Sequence, residues 1–327
     1  MSSRVREVEA SEPGESVYLD AYLAPFRAFL ADEAVSEILV NRPGEVWVER
    51  AGEGMTARAM PQVDDRHLQR LAEQIARISH QGINRSHPLL AATLPGGARV
   101  QLVGPSATRG HWALAIRRHR LIEMPLEAWP VLPAAARAPA AAVDRDADPL
   151  GYLRVAVAER RTILVSGGTS SGKTSFLNAL LREVPAGERL ILVEDTPEIR
   201  LSHPNGLGLV AVKGDTGEAR VATHDLLQAA LRLRPDRIVL GELRGSEAVS
   251  FLRAINTGHP GSFSTIHANT PAGALEQLAL MVMQAGLGLS RADTLAYAAS
   301  VIDIVVQLER HDGVRRIAAV TPVSDLF

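Results

Sequence analysis

The 327-residue sequence contains no cysteine. This absence excludes disulfide bonds, zinc ribbons, iron–sulfur clusters and thiol catalysis. Aromatic residues make up only 4% of the chain, and no apolar run approaches the roughly 18 residues that a membrane-spanning helix needs. The first residues are acidic and lack an apolar segment, so no secretory signal peptide is expected. We therefore expect a cytoplasmic protein whose contact with a membrane is at most peripheral.

Lysine is almost as scarce as cysteine. Only two of the 35 basic residues are lysines, Lys173 and Lys213, and the others are arginines. A lysine in so arginine-rich a chain indicates a position where an ammonium is needed and a guanidinium does not fit. No motif surrounds Lys213, which we assign to a surface loop. The formal net charge of -2 does not favour a non-specific nucleic-acid-binding surface.

Composition and periodicity divide the chain into four parts. Residues 1–15 are acidic and are interpreted as a flexible tail. Residues 16–120 mix helical and strand patterns and are predicted to form a small α+β domain. Residues 121–150 are rich in proline and alanine, which indicates a linker. Residues 151–327 alternate strand and helix patterns, as expected for a mostly parallel α/β sheet with crossover connections.

Individual elements follow from apolar spacing and turn residues. Asp64 precedes apolar residues at helical spacing and is suited to begin a helix. In the first domain, strands are expected at 37–41, 45–49, 89–94, 99–103 and 112–117. In the second domain, strands are expected at 162–165, 190–193, 238–240, 262–266, 304–308 and 317–320. Helices are expected at 173–183, 223–233, 246–256, 271–284 and 290–302.

Residues 167–174 fit the phosphate-binding pattern G-x-x-x-x-G-K-[ST]. The segment follows a predicted strand and opens a predicted helix, the context in which this pattern binds nucleotide. Its backbone N–H groups are expected to surround the phosphates, aided by the positive end of the helix dipole. Lys173 is predicted to reach the β- and γ-phosphates, and Thr174 to hold Mg²⁺. The predicted nucleotide-binding residues are Gly167, Gly168, Thr169, Ser170, Ser171, Gly172, Lys173, Thr174 and Ser175.

Two predicted apolar strands end in carboxylates. Glu242 is a candidate to orient or deprotonate the attacking water, and the alternative is a solvated glutamate at a strand end. Glu194 and Asp195 end the other strand and are candidate metal ligands together with Thr174. Glu198 follows as a candidate catalytic residue. Because the carboxyl ends of parallel strands meet at one edge of a sheet, we expect these acids beside the phosphate-binding strand.

These runs resemble the motifs of secretion ATPases. LRLRPDRIVLGELRG (231–245) resembles their Walker B region, EDTPEIR (194–200) their aspartate box, and TGHPGSFSTIHAN (257–269) their histidine box. The first domain matches through HPLLAATLPGGARVQ (87–101) and AIRR (115–118). The chain is thereby similar to the VirB-type traffic ATPases of type IV secretion systems over nearly its whole length beyond the acidic tail.

The resemblance implies an α/β fold in which a RecA-like P-loop ATPase domain follows a smaller N-terminal α+β domain. It implies a homo-hexameric double ring with ATP and Mg²⁺ as ligands and nucleotide at a subunit boundary between the two domains. Such a motor would work peripherally at the cytoplasmic face of the inner membrane. It would power pilus assembly and the export of DNA or protein substrates, including conjugation. The implied partners are inner-membrane secretion-channel components, a coupling ATPase and the secreted substrate.

The resemblance also assigns roles to arginines of the first domain. Arg99 and Arg117 occupy motifs whose arginines help to neutralise the terminal phosphate, and we predict them to be catalytic. An arginine suits this role because it stabilises charge spread over phosphoryl oxygens. Arg118 and Arg120 are weaker candidates, and the alternative for both is a solvated basic strand end.

The histidine box contains two histidines, His259 and His267. His267 ends a predicted strand and is predicted to act at the catalytic site, where the family couples nucleotide state to conformation. The alternative is a structural histidine held by hydrogen bonds. The spacing of the two histidines is not that of a known zinc site.

Other P-loop classes fit less well. A tight-adherence or type II secretion pilus assembly ATPase is the main alternative. Many type II members carry a tetracysteine zinc module, which this chain lacks because it has no cysteine. The sequence motifs of tight-adherence ATPases are similar to those of this chain, so they are harder to exclude. The proline-rich linker and the run 87–101 favour type IV secretion. A GTPase needs an Asn-Lys-x-Asp reader, and neither lysine lies in one. A small-molecule kinase would need neither the histidine box nor the first domain, and a helicase is not favoured by the near-neutral charge. A ring that only binds nucleotide is the non-enzymatic alternative.

Overall fold

The computed structural model describes residues 13–118, 143–212 and 219–327. The chain divides into two compact units. The first contains the described residues up to Pro105 and from Gly110 to the first gap, and the second contains Ser106–Arg109 and the later described residues. The sequence places Ser106–Arg109 in the first domain, so the predicted boundary at 120 does not account for this segment. Lys213 and most of the predicted linker lie outside the described residues.

The first unit is a six-stranded sheet with helices. Its elements are α1 (Pro13–Leu23), α2 (Arg27–Ala31), β1 (Val35–Val40), β2 (Glu45–Arg50), β3 (Met55–Ala59), α3 (Asp65–Ile78), β4 (Leu89–Thr93), β5 (Arg99–Val103) and β6 (Ala113–Arg117). The strands lie in the order β3-β2-β1-β6-β5-β4, and the paired strands are antiparallel. These elements confirm the predicted strands of the first domain.

Helix α3 shows how the sequence specifies this unit. The Asp64 side chain accepts a hydrogen bond from the N–H of His67 at 2.7 Å and so caps the helix, as predicted. The apolar face of α3, including Leu68, Leu71 and Ile75, is buried in the core. Helix α1 corrects one expectation, because it begins at Pro13, within the predicted tail. Proline suits the first turn of a helix, where its missing N–H would have no partner.

The second unit is a seven-stranded sheet with helices on its connections. Its elements are α4 (Pro149–Ala158), β7 (Ile163–Gly167), α5 (Lys173–Arg182), β8 (Leu190–Glu194), β9 (Gly206–Val210), α6 (Thr223–Arg232), β10 (Arg237–Leu243), α7 (Glu247–Asn256), β11 (Phe263–Ile266), α8 (Pro271–Gln284), α9 (Arg291–Val301), β12 (Ile304–His311) and β13 (Val314–Pro322). The order is β13-β12-β7-β11-β10-β8-β9, parallel except for the β12–β13 pair. This confirms the predicted α/β class and its crossovers.

The strand order decides which residues meet at the carboxyl edge of the sheet. Strand β11 lies between β7 and β10. The sequence led us to expect the acidic strand ends immediately beside the phosphate-binding strand. The structure corrects this expectation, because β11 separates them from it. His267, which follows β11, takes that place, and Glu242 lies one strand further out. Within the described ranges, no helix has the length and apolar character needed to cross a membrane.

Candidate nucleotide-binding site

The loop between β7 and α5 contains two residues in the left-handed conformation. Ser170 and Gly172 have φ angles of 63° and 96°, and Gly172 is the residue that precedes the first turn of α5. Glycine is favoured at 172 because side-chain-bearing residues rarely adopt a φ of 96°. Turns of this kind let successive backbone N–H groups surround an anion at the positive end of a helix.

Lys173 is buried at the start of α5, with 9% of its surface exposed. Its Nζ donates to the carbonyl oxygens of the two glycines that begin the loop, at 3.0 and 3.2 Å, and lies 3.3 Å from the ring nitrogens of His267. Burial lowers the pKa of Lys173 below its ordinary value; Glu242 opposes this shift and Arg244 adds to it. A partly desolvated ammonium in a loop of this shape favours a negatively charged ligand.

A bulge near the end of β10 turns Glu242 toward the same place. The pairing of β10 with β11 runs from Leu240–Ser264 to Leu243–Ile266, so β10 carries one extra residue between the two pairs. Such a bulge disrupts the ladder locally and redirects the side chains that it contains. The side chain of Glu242 is 18% exposed and lies in the cleft beside the loop.

Each carboxylate oxygen of Glu242 has one close neighbour, although Oε1 accepts no hydrogen bond from the described residues. Arg244 donates from Nε to Oε2 at 2.5 Å, and this bond raises the pKa of the guanidinium. Nε2 of His267 lies 2.7 Å from Oε1. Since His267 also contacts the ammonium of Lys173, the three predicted residues Lys173, His267 and Glu242 form a continuous chain of polar contacts.

Glu194 fixes the shape of the acidic segment that follows β8. Its Oε1 accepts the N–H groups of Glu198 and Ile199 at 2.9 and 2.8 Å, and its Oε2 pairs with Arg109. Arg109 also donates to the carbonyl of Ile199 at 2.7 Å. Glu194 is 3% exposed, so these protein donors hold a buried carboxylate. This arrangement competes with the metal-ligand role predicted for Glu194.

The remaining predicted oxygen donors are better placed to accept a metal ion. Thr174, in the first turn of α5, and Asp195 are half-buried and line the cleft, whereas Glu198 is exposed at its rim. Oδ1 of Asp195 accepts a hydrogen bond from the Thr223 hydroxyl at 2.7 Å. Mg²⁺ takes hydroxyl, carboxylate, phosphate and water oxygens, and it usually keeps several waters when bound beside phosphates. The donor set of the cleft therefore fits a magnesium–nucleotide complex.

These parts enclose a cleft of about 370 Å³ in the second unit. The phosphate-binding loop, the segment 194–199, Glu242, His267 and Arg315 contribute to its walls. Ser171 is an exception among the loop side chains, because it is 3% exposed and packs against Gly167. Any contact of Ser171 with nucleotide would therefore be made by its backbone N–H and not by its side chain.

Arg99 and Arg117 lie in the first unit, directly opposite each other on β5 and β6. Nε of Arg117 is 3.5 Å from Oε1 of Glu37, and Arg99 is exposed. Like charges facing each other across a strand pair repel unless a counter-charge lies near. The catalytic role of both arginines stays a prediction.

Arg118 is not the solvated strand end that the alternative describes, and its role at the terminal phosphate stays a prediction. Its guanidinium donates to the backbone carbonyls of Asp32 and Val35, the latter at 3.3 Å, and so ties β6 to the start of β1. Arg120 lies outside the described residues.

His259 is not among the residues that line the cleft. Its Nδ1 donates to the carbonyl oxygen of Pro235 at 3.0 Å. Burial lowers the pKa of His259, while the bond to Pro235 and the charge of Asp236 oppose that shift. Of the two histidines that the motif contains, the structure brings only His267 to Lys173 and Glu242.

Sequence reasoning missed three arginines of the site. Arg244 stands two residues after Glu242, and that spacing of opposite charges at a strand end could have drawn attention to it. Arg109 and Arg315 belong to no motif of the sequence. Their positions depend on tertiary contacts with Glu194 and Gly172.

Comparison with known proteins gives a consistent result. The sequence model of the family described as "Type II/IV secretion system protein" matches residues 137–313. The type IV secretion system protein VirB11 of Bartonella quintana is 36% identical over 317 residues, which cover 89% of each chain. The type IV secretion system protein PtlH of Bordetella pertussis is 40% identical over 324 residues, with 92% of this chain and 93% of the relative covered.

A solved structure is similar over almost the whole chain. It is the crystal structure of the VirB11 ATPase from the Brucella suis type IV secretion system in complex with sulphate, which is 35% identical to this chain. The TM-score is 0.86, and the match covers 95% of this chain and 96% of the other.

Proposed function

This chain belongs to the type II/IV secretion system protein family, within its VirB11-like type IV secretion branch, and from that premise we propose that it is a Mg²⁺-dependent ATPase that drives a type IV secretion system. The observation that carries the proposal is the contact chain Lys173–His267–Glu242 at the end of a phosphate-binding loop. It joins a cation for the phosphates to a carboxylate for the attacking water. The named relatives are type IV secretion proteins, which favours this function over a type II or tight-adherence pilus ATPase.

Each part of the cleft has a task in hydrolysis. The loop N–H groups and Lys173 hold the phosphates, and Glu242 orients the water that attacks the terminal phosphorus. Thr174 and Asp195 would hold Mg²⁺, which supplies charge neutralisation to the phosphate oxygens when bound. Glu198, at the exposed rim, is the further carboxylate that we assign to catalysis. His267 contacts both Lys173 and Glu242, so it can transmit the state of the phosphates to the Walker B strand.

We assign the neutralisation of the terminal phosphate to Arg99 and Arg117. The paired guanidinium groups on β5 and β6 have Glu37 as a partial counter-charge, and a phosphoryl group would supply more. Arginine at this step stabilises charge that spreads over the transferring phosphoryl group.

The wider setting follows from the family. We propose that the chain works as a homo-hexamer in the cytoplasm, peripheral to the inner membrane. It would act with inner-membrane secretion-channel components and a coupling ATPase. ATP hydrolysis would power pilus assembly and the export of DNA or protein.

Phosphate release from ATP and Mg²⁺ tests the proposal. We expect Glu242→Gln to bind ATP like the wild type but to hydrolyse it at least about 100-fold more slowly, because an amide cannot accept the proton of the attacking water. Glu309→Gln, which changes an exposed glutamate of the same sheet, is the matched control and should keep wild-type turnover. Equal rates for the wild type and Glu242→Gln would contradict the catalytic assignment, and equal low rates would favour a ring that only binds nucleotide.

A further inference from the structure

The hairpin formed by β12 and β13 stands next to the phosphate-binding loop. Strand β12 pairs with β7, the strand that leads into the loop, and this pairing ends at Leu308 and Gly167. Beyond it the chain reverses through Asp312 and Gly313, whose φ angles of 51° and 78° are those of a tight two-residue hairpin turn. The first residues of β13 therefore emerge beside the loop.

Arg315, the second residue of β13, reaches the loop itself. Its Cδ and Nε atoms lie 2.8 and 3.5 Å from the position that a Cβ atom on Gly172 would occupy. The side chain forms part of the cleft wall, on the side where α5 begins. Its stem thus packs on the loop at the residue before Lys173.

The charge of Arg315 is not used by the described parts of the protein. Arg244, the other arginine of the cleft wall, pairs with Glu242, and Arg109 pairs with Glu194 behind the segment 194–199. Arg315 makes no ion pair or side-chain hydrogen bond within the ranges that the structure describes. A guanidinium placed in this way is ready for an anionic ligand, because its planar N–H groups match the oxygens of a phosphate.

We propose that Arg315 binds the α- and β-phosphates of the nucleotide, a conclusion that rests on the proposed ATPase function. The ammonium of Lys173 turns back toward the start of the loop, His267 and Glu242, which marks the γ-phosphate side. Arg315 touches the other end of the loop, at the start of α5, where the N–H groups of a P-loop hold the α- and β-phosphates. The two cations accordingly serve different parts of the phosphate chain.

The test compares full-length Arg315→Ala with Arg316→Ala in the presence of Mg²⁺. Dissociation constants are measured for ATP, ADP and inorganic tripolyphosphate. We expect Arg315→Ala to weaken all three by a similar factor of about tenfold, the low end of the effect of losing one charge-assisted hydrogen bond, because Arg315 is exposed to solvent. Arg315→Lys should be intermediate, since an ammonium keeps the charge but not the fork of donors. Arg316→Ala should bind like the wild type, because Arg316 is exposed on the same hairpin and is absent from the cleft wall.

Two results would overturn the inference. If Arg315→Ala bound ATP, ADP and tripolyphosphate as tightly as the wild type, the Arg315 side chain would line the cleft without binding phosphate. Weaker ATP binding with unchanged tripolyphosphate binding would show a contact with the base or sugar instead of the phosphates. Lys173→Ala separates this failure from failure of the proposed function: if Lys173→Ala loses nucleotide and Arg315→Ala does not, the ATPase stands and the role of Arg315 falls.

Discussion

Individual charged residues of the cleft differ in how far the sequence reveals them. Lys173, Glu242 and His267 each lie in a contiguous run with a recognisable pattern, so their meeting at one sheet edge could be predicted. Arg109 and Arg315 could not, because each acquires its neighbours only through folding. The contacts of Glu194 could not be predicted either, since the sequence does not distinguish a strand-end carboxylate that binds a metal ion from one that accepts backbone N–H groups.

His259 makes the stability of the protein depend on pH. Burial lowers its pKa below the ordinary value of 6.5, so the unfolded chain binds a proton at a pH where the folded chain does not. The stability that the neutral imidazole contributes is therefore complete above pH 6.5 and is lost as the pH falls toward the lowered pKa. We expect the free energy of unfolding to decrease between about pH 7.5 and about pH 5, in part through this residue.

Urea unfolding of His259→Gln checks this expectation. Glutamine can still donate to the carbonyl of Pro235 but does not titrate. The acid-induced loss should be smaller in His259→Gln than in the wild type, and the difference isolates His259 from carboxylates that titrate in both proteins. Identical pH dependence in the two proteins would contradict the role of its burial.

At the scale of elements, the sequence predicts most helices and strands because their apolar residues follow periods of 3.6 and 2. Strand β3 escapes prediction because it is an exposed sheet edge and buries none of its residues. Strand β9, Gly206–Val210, is glycine-rich, and strand propensity there is weak. Close packing accounts for the glycine at 208, since a Cβ atom there would lie 2.6 Å from Nε of Arg109, whose guanidinium is held by Glu194.

The segment 194–199 depends on Arg109 for its conformation. Arg109→Ala would leave the buried Glu194 carboxylate without its cation and the Ile199 carbonyl without that donor. We expect a loss of about 1–3 kcal/mol in the free energy of unfolding. Faster amide exchange at Glu198 and Ile199 and a lower kcat should accompany it, because this segment forms a wall of the cleft.

A double-mutant cycle with Glu194→Gln provides the check. The two substitutions remove the same contact, so their effects on unfolding should be less than additive. Arg200→Ala is the matched control: its side chain is exposed, and the structure shows only its backbone N–H in a bond, to Asn178. Strict additivity, or an equal effect of Arg200→Ala, would argue against the contact.

For the whole molecule, alternation of strands and helices predicts a parallel sheet but not the order of its strands. That order depends on which crossover passes over which neighbour, and no local pattern encodes it. The position of β11 between β7 and β10 is the consequence that matters most, because it inserts His267 between the phosphate-binding loop and Glu242. The second unit thereby holds the loop, the acids and the histidine of one cleft.

The most direct test of the account is calorimetric titration of the full-length protein with ATP and Mg²⁺, beside Lys173→Ala. Because burial lowers the pKa of Lys173, the free fold disfavours its ammonium, and Lys173→Ala should still show a cooperative unfolding transition. We predict saturable binding by the wild type, with stabilisation of about 2.7 kcal/mol at 100-fold excess over Kd, and loss of both in Lys173→Ala. A folded wild type without affinity for ATP, or a Lys173→Ala variant that binds ATP as tightly, would contradict it.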